Sequence, residues 1–213
     1  MKVSEEQLQG LIFDVDGTLY HQKPVRLQMA LKLGTYYLFH LARWRELYGI
    51  FLLRRLREKT NWLSKQQQLK QTAEKAGISP EALENAIQKW MFEVPLPIIA
   101  THRNKECLAL LRKMQEAGKQ IIIYSDYPAE EKLEALNVHP DRLFYPECCE
   151  SCFSQQKPSR EAMEYILEQI HLRPEQLLLI GDREEKDGSS AKLVNMAFLN
   201  VKNIGKGDIY EEI

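Results

Sequence analysis

The sequence predicts a doubly wound α/β protein, with a parallel sheet as its core and an all-helical unit inserted into it. Three observations predict this. Four short apolar runs are each followed by a turn or a helical pattern. Amphipathic helical patterns separate the last three of them, so strand and helix alternate as in a parallel sheet with crossover connections. Between the first run and the others lies a long stretch, residues 21–97, with helical periodicity and no convincing strand.

Taken in order, "GLIFDV" from Gly10 reads as the first buried strand. Within 21–97, "KQQQLKQTAEKAG" ends at Gly77, placed to cap a helix. "GISPEALENAIQKW" has Ser79 as N-cap and Pro80 at the first helical position. Residues 104–118 follow as a helix closed by Gly118, then the strand "KQIIIYS" from Lys119, a helix over 128–136, and the strand "RLFYPE" from Arg142. A helix over 158–170, with Pro158 in its first turn, leads to the last run, "LLLIGD" from Leu177. The expected domains are a core of 1–20 and 98–213 and a helical unit of 21–97.

The bulk numbers narrow the function. A chain of 213 residues that is 44 % hydrophobic has enough apolar mass for one good core plus a smaller unit. A formal net charge of -1 gives no sign of a nucleic-acid binder. "MKVSEEQLQG" lacks the apolar stretch of a signal peptide, and no run approaches the ~20 apolar residues of a membrane span. A soluble, cytoplasmic protein with reduced cysteines is expected. The "CCESC" run suggests zinc through Cys149 and Cys152, but a structural site wants four ligands and no second pair stands at suitable spacing.

In open α/β sheets ligands bind at the carboxyl ends of the strands, so the residues there matter most. The first strand ends in Asp14 and Asp16, the second in Ser125 and Asp126, and the last in Asp182, while Lys157 precedes the third core helix. Carboxylates converging from separate strands repel unless a cation lies between them, and a hard, oxygen-seeking ion such as Mg2+ suits such ligands.

This set, "DVDGT", then Ser125 after an apolar strand, then Lys157 in "KPS", then "GDREEKD", resembles the four motifs of the haloacid dehalogenase (HAD) superfamily, in order. The resemblance covers residues 11–20 and 101–201. It implies a Rossmann-like core and a Mg2+-dependent phosphatase acting on a small phosphorylated metabolite. Asp14 would be the carboxylate nucleophile and Asp16 the general acid and base. Mg2+ would be held by Asp14, the backbone carbonyl of Asp16 and Asp182, with Asp187 supporting it through water or Lys157. Ser125, Asp126 and Lys157 would meet the substrate phosphate. Asp126 departs from the amide common at its position, and Glu184 or Glu185 could replace Asp187. Asp16 argues against the dehalogenase branch, which lacks an acid there. A phosphomutase of the β-phosphoglucomutase kind would share every motif. From a different class, a non-catalytic module that binds a membrane or partner could keep the fold.

Taken singly, these residues have plainer readings: Asp14 and Asp16 as a solvated turn, Ser125 as a strand-end hydroxyl, Lys157 as a surface lysine, Asp187 as a helix-start acid. Only the set lifts them. The resemblance also makes the insert a mobile cap that selects substrate, and leaves too few residues between Ser125 and Lys157 for a second one. Residues 23–59 hold nine Lys/Arg against two acids, a local +7 that leaves -8 for the remainder, and six aromatics. Solvated faces of amphipathic helices account for most such charge. The other readings are a substrate with extra negative charge or an apolar tail, and contact with an anionic membrane surface.

Overall fold

The computed structural model describes residues 6–59, 65–146, 148 and 153–205. Its backbone falls into two compact units, one of 1–22 with 102–213 and one of 23–101.

The first unit is built on a five-stranded, all-parallel sheet in the order β3-β2-β1-β4-β5. Its strands are β1 (Gly10–Phe13), β2 (Gln120–Tyr124), β3 (Arg142–Phe144), β4 (Leu177–Gly181) and β5 (Ala197–Asn200). The α/β expectation holds, and β1, β2 and β4 are apolar along nearly their whole length because helices cover both faces of a parallel sheet. Ile12, Ile122, Tyr124, Leu177 and Leu179 pack with Met163, Ile166 and Ile170 of one helix. Their neighbours of opposite parity, Leu11, Phe13, Ile121, Ile123, Leu178 and Ile180, are just as fully buried. β5 escaped the sequence reading: on this edge strand only alternate residues are buried, so no continuous apolar run marks it.

The second unit contains α1 (Gln22–Phe39, entered from the first unit), α2 (Trp44–Lys59), α3 (Lys65–Ala76), α4 (Pro80–Ile87) and α5 (Pro95–Thr101). A wider, π-type stretch over Gln88–Glu93 joins the last two. Ser79 caps α4 by accepting the Ala82 N–H at 3.1 Å, with Pro80 at the first helical position, as its sequence predicts. Tyr37, Ile50, Leu53, Leu83 and Trp90 form this unit's own core. Gly49 lets α2 approach α4: a Cβ there would lie 2.8 Å from Leu83 Cδ1. The buried acid Glu46 accepts from Arg43 Nε at 2.7 Å and from the Tyr37 hydroxyl at 3.4 Å.

In the first unit α6 (Lys105–Glu116), α7 (Glu130–Leu136), α8 (Arg160–Ile170) and α9 (Ser189–Leu193) complete the fold. Asn104 caps α6 through the Cys107 N–H at 3.2 Å and donates its own amide to the Thr18 carbonyl at 3.0 Å, tying the turn after β1 to this helix. Pro158 does not enter α8 as the sequence suggested. Ser159 accepts the Ala162 N–H and is the N-cap, so the helix starts one residue beyond it. No helix among the described residues is long and apolar enough to cross a membrane.

Candidate active site

Because β1, β2 and β4 are parallel neighbours, the residues that follow them emerge at one edge of the sheet. Asp14 continues β1, and its N–H donates to the Ile180 carbonyl of β4 at 2.9 Å. Ser125 continues β2 and Asp182 continues β4. Asp14 is buried, with each carboxylate oxygen held. Oδ1 accepts from Lys157 Nζ at 2.6 Å and Oδ2 accepts from the Thr18 hydroxyl at 3.0 Å. Those two contacts fix its rotamer.

Lys157 is placed by the capped start of α8. Its N–H donates to Asp126 Oδ1 at 2.8 Å, and its ammonium lies over the Tyr124 ring, 4.8 Å from the centroid. The same ammonium donates to Asp187 Oδ1 at 2.7 Å, so one buried cation serves two buried carboxylates. Asp187 sits in the π-type turn Glu184–Gly188, and its Oδ2 accepts the Arg183 N–H at 3.2 Å. Glu184 and Glu185 are exposed on that turn, so neither takes its place.

Two glycines make room for this crowding. A Cβ on Gly181 would lie 2.4 Å from the Asp187 carboxyl carbon. Gly17 has φ +104°, and a Cβ there would lie 2.3 Å from Asp182 Oδ2. Gly17→Ala is therefore expected to lower stability by about 1–3 kcal/mol and to push Asp182 out of the cluster. Urea melts with and without Mg2+ check it, and stabilisation by Mg2+ equal to that of wild type would contradict it.

One carboxylate oxygen each from Asp14, Asp182 and Asp187 lies within 4.8 Å of the others. Three carboxylate oxygens gathered this closely are the hard donors that a magnesium ion takes. Asp182 Oδ1 is buried yet has no hydrogen-bond partner, and its nearest cation, Arg183 Nε, is 3.7 Å away. An all-oxygen donor set with an orphaned carboxylate oxygen suits a hard divalent cation. Electrostatics agree: burial raises the Asp182 carboxyl above its ordinary range, and the nearby Asp187 adds to it. Burial pushes Asp14 up to about 7, with Asp187 adding and Lys157 opposing. Burial alone would lower the Lys157 ammonium, but Asp14 and Asp187 together raise it and keep it charged.

The Asp16 side chain points elsewhere. Lys132 of α7 donates to its Oδ1 at 2.7 Å and Oδ2 at 2.9 Å, and the Tyr20 hydroxyl also donates to Oδ1. Burial works to raise this carboxyl, yet Lys132 and Tyr20 hold it below the usual range. Asp126 is likewise occupied: beside the Lys157 N–H it takes Lys186 Nζ at 2.9 Å and Arg183 Nη2 at 3.5 Å. Its visible work is to hold Lys157. Ser125 is buried, and its hydroxyl accepts the Tyr127 N–H at 3.2 Å. Sequence reasoning missed Thr18, Tyr20 and Lys132. Thr18 closes the first motif and Tyr20 stands two residues beyond it, so both could have been found there, but nothing local marks Lys132. Cys149 and Cys152 lie outside the described residues.

A parallel sheet that gathers carboxylates from two strand ends, a buried lysine and a glycine-cleared acidic turn defines a hydrolase of the α/β type. The chain belongs to the haloacid dehalogenase-like hydrolase family, whose sequence model matches residues 8–195. No curated protein matches the sequence. Among solved structures, it is similar to a 2-haloacid dehalogenase from Pseudomonas syringae pv. Tomato, with 15 % identity, TM-score 0.66, and coverage of 97 % of this chain and 91 % of that one. A magnesium-bound protein of Bacillus subtilis described as a HAD-hydrolase is 17 % identical, with TM-score 0.60 and coverage of 90 % and 87 %. A β-phosphoglucomutase from Clostridium difficile is 14 % identical, with TM-score 0.52 and coverage of 91 % and 84 %. At such identities these likenesses speak for the fold.

Proposed function

We propose that this hydrolase is a Mg2+-dependent phosphatase that cleaves small phosphate monoesters through an aspartyl-phosphate on Asp14. The observation that carries the reading is the pairing of a buried carboxylate held at both oxygens with a second carboxylate two residues on, held separately by Lys132. A dehalogenase needs no such second acid.

In this reading Asp14, Asp182 and the backbone carbonyl of Asp16 would hold the ion, with Asp187 supporting them. The ion's contribution is charge neutralisation between anionic nucleophile and anionic phosphate. An Asp14 oxygen forms the new bond to phosphorus as the ester P–O bond breaks, and the departing oxygen takes a proton that Asp16, ionised at rest beside Lys132, first picks up from solvent. Asp16 then takes a proton from water, whose oxygen attacks phosphorus, and the Asp14–phosphorus bond breaks to release phosphate. Ser125 and Lys157 hold the phosphoryl oxygens, and the positive Lys157 ammonium favours the developing charge. Residues 23–101, inserted between the first and second motifs, are the cap.

Phosphate release from a panel of monoesters, measured with Mg2+ and again with EDTA, tests the reading. Activity lost in EDTA and a hydroxylamine-labile phosphoryl label on the wild-type chain are expected. A chain that releases no phosphate from any monoester would refute it.

Lys132 provides a finer test. With both Asp16 oxygens accepting from Lys132, Lys132→Met frees the acid to rotate, and kcat is expected to fall roughly tenfold or more with KM little changed. Lys132→Arg, which keeps the charge, is expected to recover part of it. An unaltered kcat in Lys132→Met would mean that Asp16 works without the ion pair.

A further inference from the structure

We propose that the helical unit of residues 23–101 docks on the surface of an anionic lipid bilayer, through the solvent-facing crests of α1 and α2 and the corner that joins them. All the large apolar side chains left exposed among the described residues fall between 27 and 51. On α1 they are Leu27, Leu31 and Leu38, spaced as positions i, i+4 and i+11 of one helical stripe. The missing i+7 position is Gly34, where an added Cβ would meet nothing within 4 Å. On α2 the stripe is Trp44, Tyr48 and Phe51, again at i, i+4 and i+7. The corner carries Phe39, the most exposed of all at 82 %, and Leu41.

These crests are not the faces that build the unit. Val25 and Tyr37 of α1 and Ile50 and Leu53 of α2 are the buried residues, and they lie off these crests on the same helices. Both helices are therefore apolar on two sides, and only one side is covered. Monomeric proteins scatter such residues singly over the whole surface; confining them to one segment marks a contact site.

Charge selects the occupant. Residues 23–56 expose seven cations, among them Lys32, Arg45, Arg54 and Arg55, and no acid, since Glu46 is buried against Arg43. A second copy of this segment would set like charge against like charge. A nucleic acid would take the cations but leave the leucine, phenylalanine and tryptophan side chains in water. An anionic bilayer answers both halves of the surface. Its headgroups accept Lys and Arg, its acyl boundary accepts Leu and Phe, and Trp and Tyr favour the level between.

The test is co-sedimentation of the full chain with vesicles of phosphatidylcholine alone and of phosphatidylcholine with about 30 % phosphatidylserine. Partitioning at least about tenfold stronger into the anionic vesicles, weakened by salt, is expected. The triple variant Leu31→Glu, Leu38→Glu, Phe39→Glu should lose about tenfold or more of it while melting as wild type, because none of the three side chains is buried. Arg54→Ser with Arg55→Ser should lose the preference for anionic over neutral vesicles. Three results would overturn the proposal: no binding to either vesicle, undiminished binding by the glutamate triple, or a dimer in sedimentation velocity that Leu38→Glu dissolves while vesicles remain bare.

Discussion

Asp14→Asn is expected to abolish phosphate release from p-nitrophenyl phosphate, with kcat reduced by about 10^4-fold or more, since an amide oxygen does not form the covalent intermediate. The same substitution should make the metal-free protein more stable, not less. Asp14 is buried among like charges and its carboxyl is raised to about 7, so folding favours its protonated form. The sign follows from that: the folded state is favoured by this group below its ordinary value near 3.8, and the advantage is lost as pH rises through about 7. At pH 8 the amide removes the penalty, and metal-free Asp14→Asn should gain roughly 1 kcal/mol. Urea melts in EDTA at pH 5 and pH 8 check this, with the larger gain expected at pH 8 and a smaller one at pH 5. A loss of stability at pH 8 would contradict the assignment of Asp14 as the crowded charge, whereas retained turnover would remove it as nucleophile.

Lys157→Met should have the largest effect on stability. The ammonium lies 2.6 Å from Asp14 and 2.7 Å from Asp187, and all three side chains are buried. Removing the cation leaves two carboxylates without compensation, a change that costs about 3–5 kcal/mol for buried pairs of this kind. The loss should be greatest above pH 7 and shrink on acidification, because a protonated Asp14 no longer needs the lysine. Saturating Mg2+ should recover part of it, since the ion neutralises the same carboxylates. Thermal melts at pH 5 and pH 8, with and without Mg2+, provide the four values required. A loss independent of pH would mean that Lys157 acts by packing against Tyr124 rather than by charge.

Much of the fold was legible because its signals are local. A strand buried on both faces reads as an unbroken apolar run, which is why β1, β2 and β4 stand out and half-exposed β5 does not. Caps were legible for a similar reason: Ser79 and Pro80 act on the helix that follows them directly. Around Lys157 the local signal misled, since Ser159 competes with Pro158 to start α8 and its hydroxyl prevails by satisfying the Ala162 N–H. The acids of the candidate site were legible as a set, because parallel strands must deliver their ends to one edge. Lys132 was not, because it meets Asp16 across 116 residues of sequence and only the placement of α7 brings them together.

The sequence by itself determined the order of the strands and helices other than β5, the edge at which Asp14, Ser125 and Asp182 emerge, and the excess of positive charge in the helical insert. Periodicity and turn chemistry act over a few residues and need no knowledge of the rest. Tertiary structure alone decided which charge meets which: Lys157 between Asp14 and Asp187, Lys132 on Asp16, Lys186 and Arg183 on Asp126. It alone also decided that α1 and α2 keep an uncovered apolar crest. Coulomb attraction and burial depend on distance in space, and that distance exists only once the chain has packed.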